Sequence, residues 1–201
     1  MKVLRMVAGF IAFGFIVSVV AICGGQEKSG NQEKAAMIDK ASPKTAFSYV
    51  GLKKCKPCHL KHQYNQWKDD PHAKAYTELA SPKSLEVAKK LGLKEEPQKS
   101  AQCLSCHVTG YEVAADLKKD VTLEEGVSCE GCHGPGSAYW PMSVMKDLVA
   151  GKADPKAVGL WAQTEESCKK CHNQKSPTYK PFDFKKASLV IAHPYPKEGA
   201  K

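Results

Sequence analysis

One pentapeptide is written four times in this chain. It reads Cys55-Lys56-Pro57-Cys58-His59, Cys103-Leu104-Ser105-Cys106-His107, Cys129-Glu130-Gly131-Cys132-His133 and Cys168-Lys169-Lys170-Cys171-His172. Cys-x-x-Cys-His is the attachment signature of a c-type haem. Two thiols three positions apart reach the two vinyl groups on one edge of a porphyrin and form thioethers. The next residue then lies under the ring, and its imidazole becomes the proximal iron ligand. A zinc ribbon also uses pairs of Cys-x-x-Cys halves, but nothing in it requires histidine after every second cysteine. The repeat therefore predicts four covalently attached haem c groups. Their sites are Cys55, Cys58 and His59; Cys103, Cys106 and His107; Cys129, Cys132 and His133; and Cys168, Cys171 and His172.

Four porphyrins leave few residues per cofactor in 201 residues. The fold class follows: mainly α, with short helices and long loops wrapped round the haems and little or no sheet. The haem-free chain is expected to be unfolded, as small metal domains are without their metal. Eight of the 9 cysteines belong to the repeat, and the ninth is Cys23. No pair is left for a structural disulfide, so export is inferred from haem attachment.

The formal charge is +9, and of 30 basic residues only Arg5 is an arginine. There is no arginine-rich stripe and no nucleic-acid module, so nucleic acid is excluded as a partner. Haem propionates add negative charge, two per haem, and bring the holoprotein toward neutrality. Scattered lysines on such a surface are solvated, and some are placed to steer an acidic redox partner.

Residues 1–23 read as a signal peptide or membrane anchor. Lys2 and Arg5 precede a mostly apolar run from Met6 to Cys23, whose length fits either a secretory segment or a span. Both options place the body outside the cytoplasmic membrane, in the periplasm, free or anchored there through the N-terminal segment. Residues 24–46, rich in Gly, Gln, Glu, Lys and Ser, read as a flexible linker. Residues 47–201 form the haem domain, with a frayed tail after Pro196.

Within that domain Asp70-Pro71 predicts a helix start that puts His72 in the first turn, with Tyr76 and Leu79 on its face. Ser81-Pro82 starts a second helix with Leu85, Ala88 and Leu91 inward and Gly92 as its stop. Thr164 starts the helix of the fourth motif. Asp183 caps a last helix that ends at Ala192-His193-Pro194. Beyond the four proximal histidines, only His62, His72 and His193 remain of 7. Four irons need four sixth ligands, so histidine cannot fill them all within one chain. His72 and His193 are the candidate distal ligands, imidazole being the commonest metal ligand. His62 lies three residues after His59 and is poorly placed for its own haem. Met142 is a further candidate ligand, one that raises an iron's potential, or else a haem-contacting core residue.

The motifs resemble the tetrahaem cytochrome c-554 family over roughly residues 48–196. The resemblance rests on Trp67 followed by His72-Ala73-Lys74-Ala75 and on Cys106-His107-Val108-Thr109-Gly110-Tyr111. It rests also on Gly126-Val127-Ser128-Cys129 running to Gly134-Pro135-Gly136, and on His193-Pro194. It implies a mainly helical fold, stacked and near-perpendicular haem pairs, and periplasmic electron transfer. It further implies His72 and His193 as distal ligands and an open site on the haem of His107. The family places another histidine about ten residues after the third motif, where this chain has Pro141, Met142 and Ser143. The third haem is thereby expected to take Met142, His62 or a partner's ligand, or to be open.

Three functions compete. The first is an electron carrier between redox proteins, with a quinol-linked membrane complex among the candidate partners. The second is an enzyme acting on a small nitrogen oxide at a five-coordinate haem. The third is a subunit of a larger haem-wire assembly. Fold and cofactor do not decide among them.

Overall fold

The computed structural model describes residues 47–194. The expected leader, linker and frayed tail lie outside the described residues. The described chain is a string of short helices. The first is α1 (Leu52–His59), which runs into a π-helical turn (Leu60–Tyr64) and then α2 (Asn65–Trp67). After it come α3 (Ala75–Glu78), α4 (Pro82–Lys90), α5 (Ala101–His107) and α6 (Cys129–His133). The last three are α7 (Met142–Val149), α8 (Glu165–Lys169) and α9 (Phe184–Ile191). Each of the first three motifs ends a helix with its histidine, and the fourth continues just past α8. Among the described residues the only β pairing is one parallel bridge, Tyr49 with Lys118. The described residues adopt the expected mainly helical, sheet-poor architecture.

The caps show why the helices begin where they do. Ser81 Oγ accepts the Ser84 N–H (3.2 Å), with Pro82 at the first helical position of α4. Thr164 and Ser167 form a reciprocal capping box at α8. Asp183 Oδ1 accepts the Lys186 N–H (3.2 Å) at α9. The start expected at Asp70-Pro71 differs. Residues 69–74 are turns, and the helix begins only at Ala75. Asp70 is engaged elsewhere: its Oδ1 accepts both the His72 backbone N–H (2.9 Å) and the His72 ring Nδ1–H (2.8 Å). Along α4, Ala88 is buried as expected, but Leu85 and Leu91 are 48% and 42% exposed.

Two features pull distant segments together. Gly126 adopts φ +60°, and a Cβ there would stand 2.8 Å from the His72 carbonyl oxygen. Only glycine allows that approach. Val127 N–H then donates to His72 O (2.9 Å), and Trp67 Nε1–H donates to Val127 O (3.0 Å). The loop carrying His72 is thus held against the approach to the third motif.

The second feature is Glu130, 1% exposed. Its carboxylate accepts the N–H groups of Val50 (2.9 Å), Gly51 (2.8 Å) and Gly136 (2.6 Å). It locks the start of α1 to α6 and to the loop after the third motif. Charged-acceptor hydrogen bonds are the strong ones, and each orphaned buried N–H costs about 1–3 kcal/mol. Glu130→Ala is therefore expected to destabilise the folded holoprotein by about 3 kcal/mol or more, read by denaturant unfolding. Glu130→Gln retains an acceptor and is expected to lose less.

The apolar core is small. Among the described residues it comprises Tyr49, Val50, Leu79, Ala88, Leu104, Val108 and Tyr139. No helix of the described residues is long and apolar enough to cross a membrane.

Candidate haem-attachment sites

The eight motif cysteines are all free thiols. The motifs are not scattered. The neighbouring Cys129 thiol and then burial hold the Cys55 thiol up, while Cys55 in turn holds Cys129 down. Burial and then neighbouring Cys106 push Cys171 up to about 12. Burial raises Cys132, with Cys168 the next contributor. Cysteines of neighbouring motifs thus perturb one another in the order first, third, fourth, second. The order differs from that along the chain.

The histidines follow the same plan. The rings of His72 and His172 lie 5.9 Å apart, centroid to centroid, at 79°. Those of His133 and His193 lie 6.0 Å apart at 61°. Two imidazoles bound through nitrogen to one iron from opposite faces have centroids about 6 Å apart, given iron–nitrogen bonds of roughly 2 Å. Both spacings match, so these residues fit a six-coordinate haem iron at the third and fourth motifs. Burial lowers the basicity of His133, with His193 and His59 adding to it. Partial burial does the same for His172, with His72 adding. Each therefore favours the neutral ring, the form that binds metal. Phe182 stacks on His172 at 4.7 Å and 17°.

The outer ring nitrogens of four histidines face acceptors, whereas His133 Nδ1 faces the Gln163 amide nitrogen (3.2 Å). Nδ1–H of His72 donates to Asp70 Oδ1 (2.8 Å), that of His107 to the Ala75 carbonyl (2.7 Å), and that of His193 to the Ile191 carbonyl (2.9 Å). His59 Nδ1 faces Gln63 Oε1 at 3.3 Å. An acceptor at Nδ1 fixes the tautomer and leaves the Nε2 lone pair for a metal. Gln63 sits in the π-helical turn that follows α1, a geometry frequent at functional sites.

These contacts leave His59 and His107 without a histidine partner. His62 is exposed on the π-helical turn. Met142 is the first residue of α7 and 60% exposed. His193 stands across from His133, the histidine of the third motif, and no histidine ring is paired with that of His59 or His107. Among the described residues no group of three or more His, Cys, Asp or Glu side chains converges to hold a metal ion. A zinc site needs such convergence; a haem, which brings four nitrogens of its own, does not.

Glu130 and Asp70 are the residues sequence reasoning did not single out. Glu130 occupies a middle position of the motif that haem attachment leaves free, and Asp70 before Pro71 has the pattern of a helix cap. A carboxylate two residues before a candidate ligand is the signal that identifies Asp70.

The sequence model of the family described as cytochrome c554 and c-prime matches residues 54–134, the stretch holding the first three motifs. The chain is 33% identical over 137 residues to cytochrome c-554 of Nitrosomonas europaea, covering 62% of this chain and 57% of that protein. It is 29% identical over 77 residues to the C-type polyheme cytochrome OmcC of Geobacter sulfurreducens, covering 35% of this chain and 9% of that one. The chain thus spans little more than half the length of the first relative and a small part of the second. The solved reduced state of Nitrosomonas europaea cytochrome c554 aligns with a TM-score of 0.48 at 28% identity, over 72% of this chain and 78% of that one.

Proposed function

We infer that this chain, which resembles the cytochrome c-554 family and carries its tetrahaem c-type attachment sites, passes single electrons between redox proteins outside the cytoplasmic membrane. The observations that support this most are the tie of the third motif to the start of the first motif's helix through Glu130 and the facing histidine rings at the third and fourth motifs, with cysteines of successive motifs in the order first–third–fourth–second close enough to perturb one another. Haem c supplies a one-electron iron couple when bound. The chain's own residues do the rest. Cys55, Cys58, Cys103, Cys106, Cys129, Cys132, Cys168 and Cys171 anchor the four groups, and His59, His107, His133 and His172 are the proximal ligands.

His72 is assigned as the ligand opposite His172, and His193 as the ligand opposite His133, on the ring separations of 5.9 and 6.0 Å. Asp70 orients His72. The two doubly ligated positions stand in the middle of the order. The two without a second histidine stand at its ends, where partners reach them. Residues 47–201 serve as the haem domain, 24–46 as its tether and 1–23 as the export signal or anchor. Lysines around the domain steer acidic redox partners, a quinol-linked membrane complex among the candidates.

An enzymic reading has one observation in its favour, the absence of a histidine partner for His107. Film voltammetry of the holoprotein separates the two. A carrier gives four reversible one-electron waves that nitric oxide, nitrite and hydroxylamine leave without catalytic current. A current that grows with any of these overturns the carrier reading.

A further inference from the structure

The first motif's iron has no histidine to complete it, and the segment beside it carries a sulfur ligand. His72 and His193 are engaged with His172 and His133. His62 follows His59 by three residues in a continuous helical run, α1 into the π-turn. Three residues apart on one helical run, the two histidines share a face rather than oppose each other.

The chain leaving the third motif is stitched to the chain entering the first. Ser48 N–H donates to Ser137 Oγ (2.9 Å), and Ser137 N–H donates to Ser48 O (3.1 Å). The Glu130 carboxylate joins the Gly136 N–H to those of Val50 and Gly51. Two residues before Met142, the Trp140 ring lies 4.8 Å from the Lys54 ammonium, which is one residue before Cys55. Pro141 then turns the chain into α7, and Met142 begins it. A methionine at a helix start, 60% exposed and outside the small protein core, is not a packing residue.

We propose that Met142 Sδ is the sixth ligand of the iron held by His59, making the terminal haem of the line a His/Met haem beside two bis-His haems. Thioether sulfur stabilises the ferrous iron and raises the potential relative to a second imidazole. The first motif's haem thereby becomes the electron-accepting end of the line. This rests on the tetrahaem carrier reading.

The test uses the holoprotein and the variants Met142→Leu, Met142→His and Met145→Leu, the last probing the neighbouring methionine one helical turn on. Near-infrared magnetic circular dichroism of the ferric protein reports sulfur ligation, and potentiometry reports each midpoint. The native protein is expected to show one His/Met haem, the highest of its four potentials. Met142→Leu is expected to abolish the sulfur signal and add one high-spin haem. Met142→His is expected to restore the low-spin state with that midpoint moved down. Met145→Leu is expected to change neither. No sulfur signal in the native protein overturns the assignment, as does a signal that survives Met142→Leu or is lost in Met145→Leu. Haem content, measured alongside, tells this failure from that of the tetrahaem reading, which would show fewer than four haems in the native protein.

Discussion

His193→Ala is expected to convert one low-spin haem of the holoprotein to high-spin, and His72→Ala to convert a different one. The two histidines lie in loops, at the end of α9 and before α3, so truncation removes a ligand without emptying a packed core. Each faces one proximal ring at a separation that leaves room for a single iron, His193 across from His133 and His72 across from His172. Every variant should therefore add one haem equivalent of high-spin signal in the ferric paramagnetic spectrum. The double variant should add two, since the two irons share no ligand. Each new five-coordinate iron should also bind carbon monoxide on reduction. Asp70→Asn is expected to be milder: it keeps an oxygen near His72 Nδ1 but loses the charge that strengthens the ligand. A spectrum unchanged by either alanine variant would sink the pairing.

The second large effect concerns folding. A chain produced without haem attachment is expected to be unfolded, with the far-ultraviolet dichroism of a disordered chain, no cooperative thermal transition and rapid proteolysis. Only seven apolar residues are buried among the described residues, well short of the core a domain of this size ordinarily builds. Leu85, Leu91, Val149, Leu189 and Val190 are exposed large apolar groups, and several lie on the helices that flank the motifs. Short helices such as α3, α6 and α8 are below the length at which a helix holds itself in water. They need something to pack on, and a porphyrin bonded to the same helix supplies it. A sigmoidal melting curve for the haem-free chain would contradict this.

Local rules reached some features of the chain and long-range contacts decided the others. The four motifs stand in the sequence itself. The starts at Ser81, Thr164 and Asp183 follow from side-chain capping, a rule that operates within four residues, and all three hold. Asp70 obeys a competing demand. Its oxygen can cap a helix or hold an imidazole, and it holds His72, so the helix waits until Ala75. Leu85 and Leu91 were readable as core-facing by period alone, yet they are exposed among the described residues, because helical period says which residues share a face and not what that face meets.

The ring pairs lie beyond any local rule. His72 meets a ring a hundred residues later, and His193 one sixty residues earlier. Counting histidines reveals a shortage of ligands, but the count alone does not say which rings face each other. Glu130 was invisible for a related reason. The middle residues of the motif are free as far as haem chemistry goes, and the carboxylate's partners, Val50, Gly51 and Gly136, come from outside it.

The most direct test of the central claim is the intact mass of exported holoprotein under denaturing conditions, followed by mapping of its peptides. Four covalent haems are expected, one on each of the peptides containing Cys55–His59, Cys103–His107, Cys129–His133 and Cys168–His172. A mass short of four haems, or a motif peptide recovered with free thiols, would contradict it.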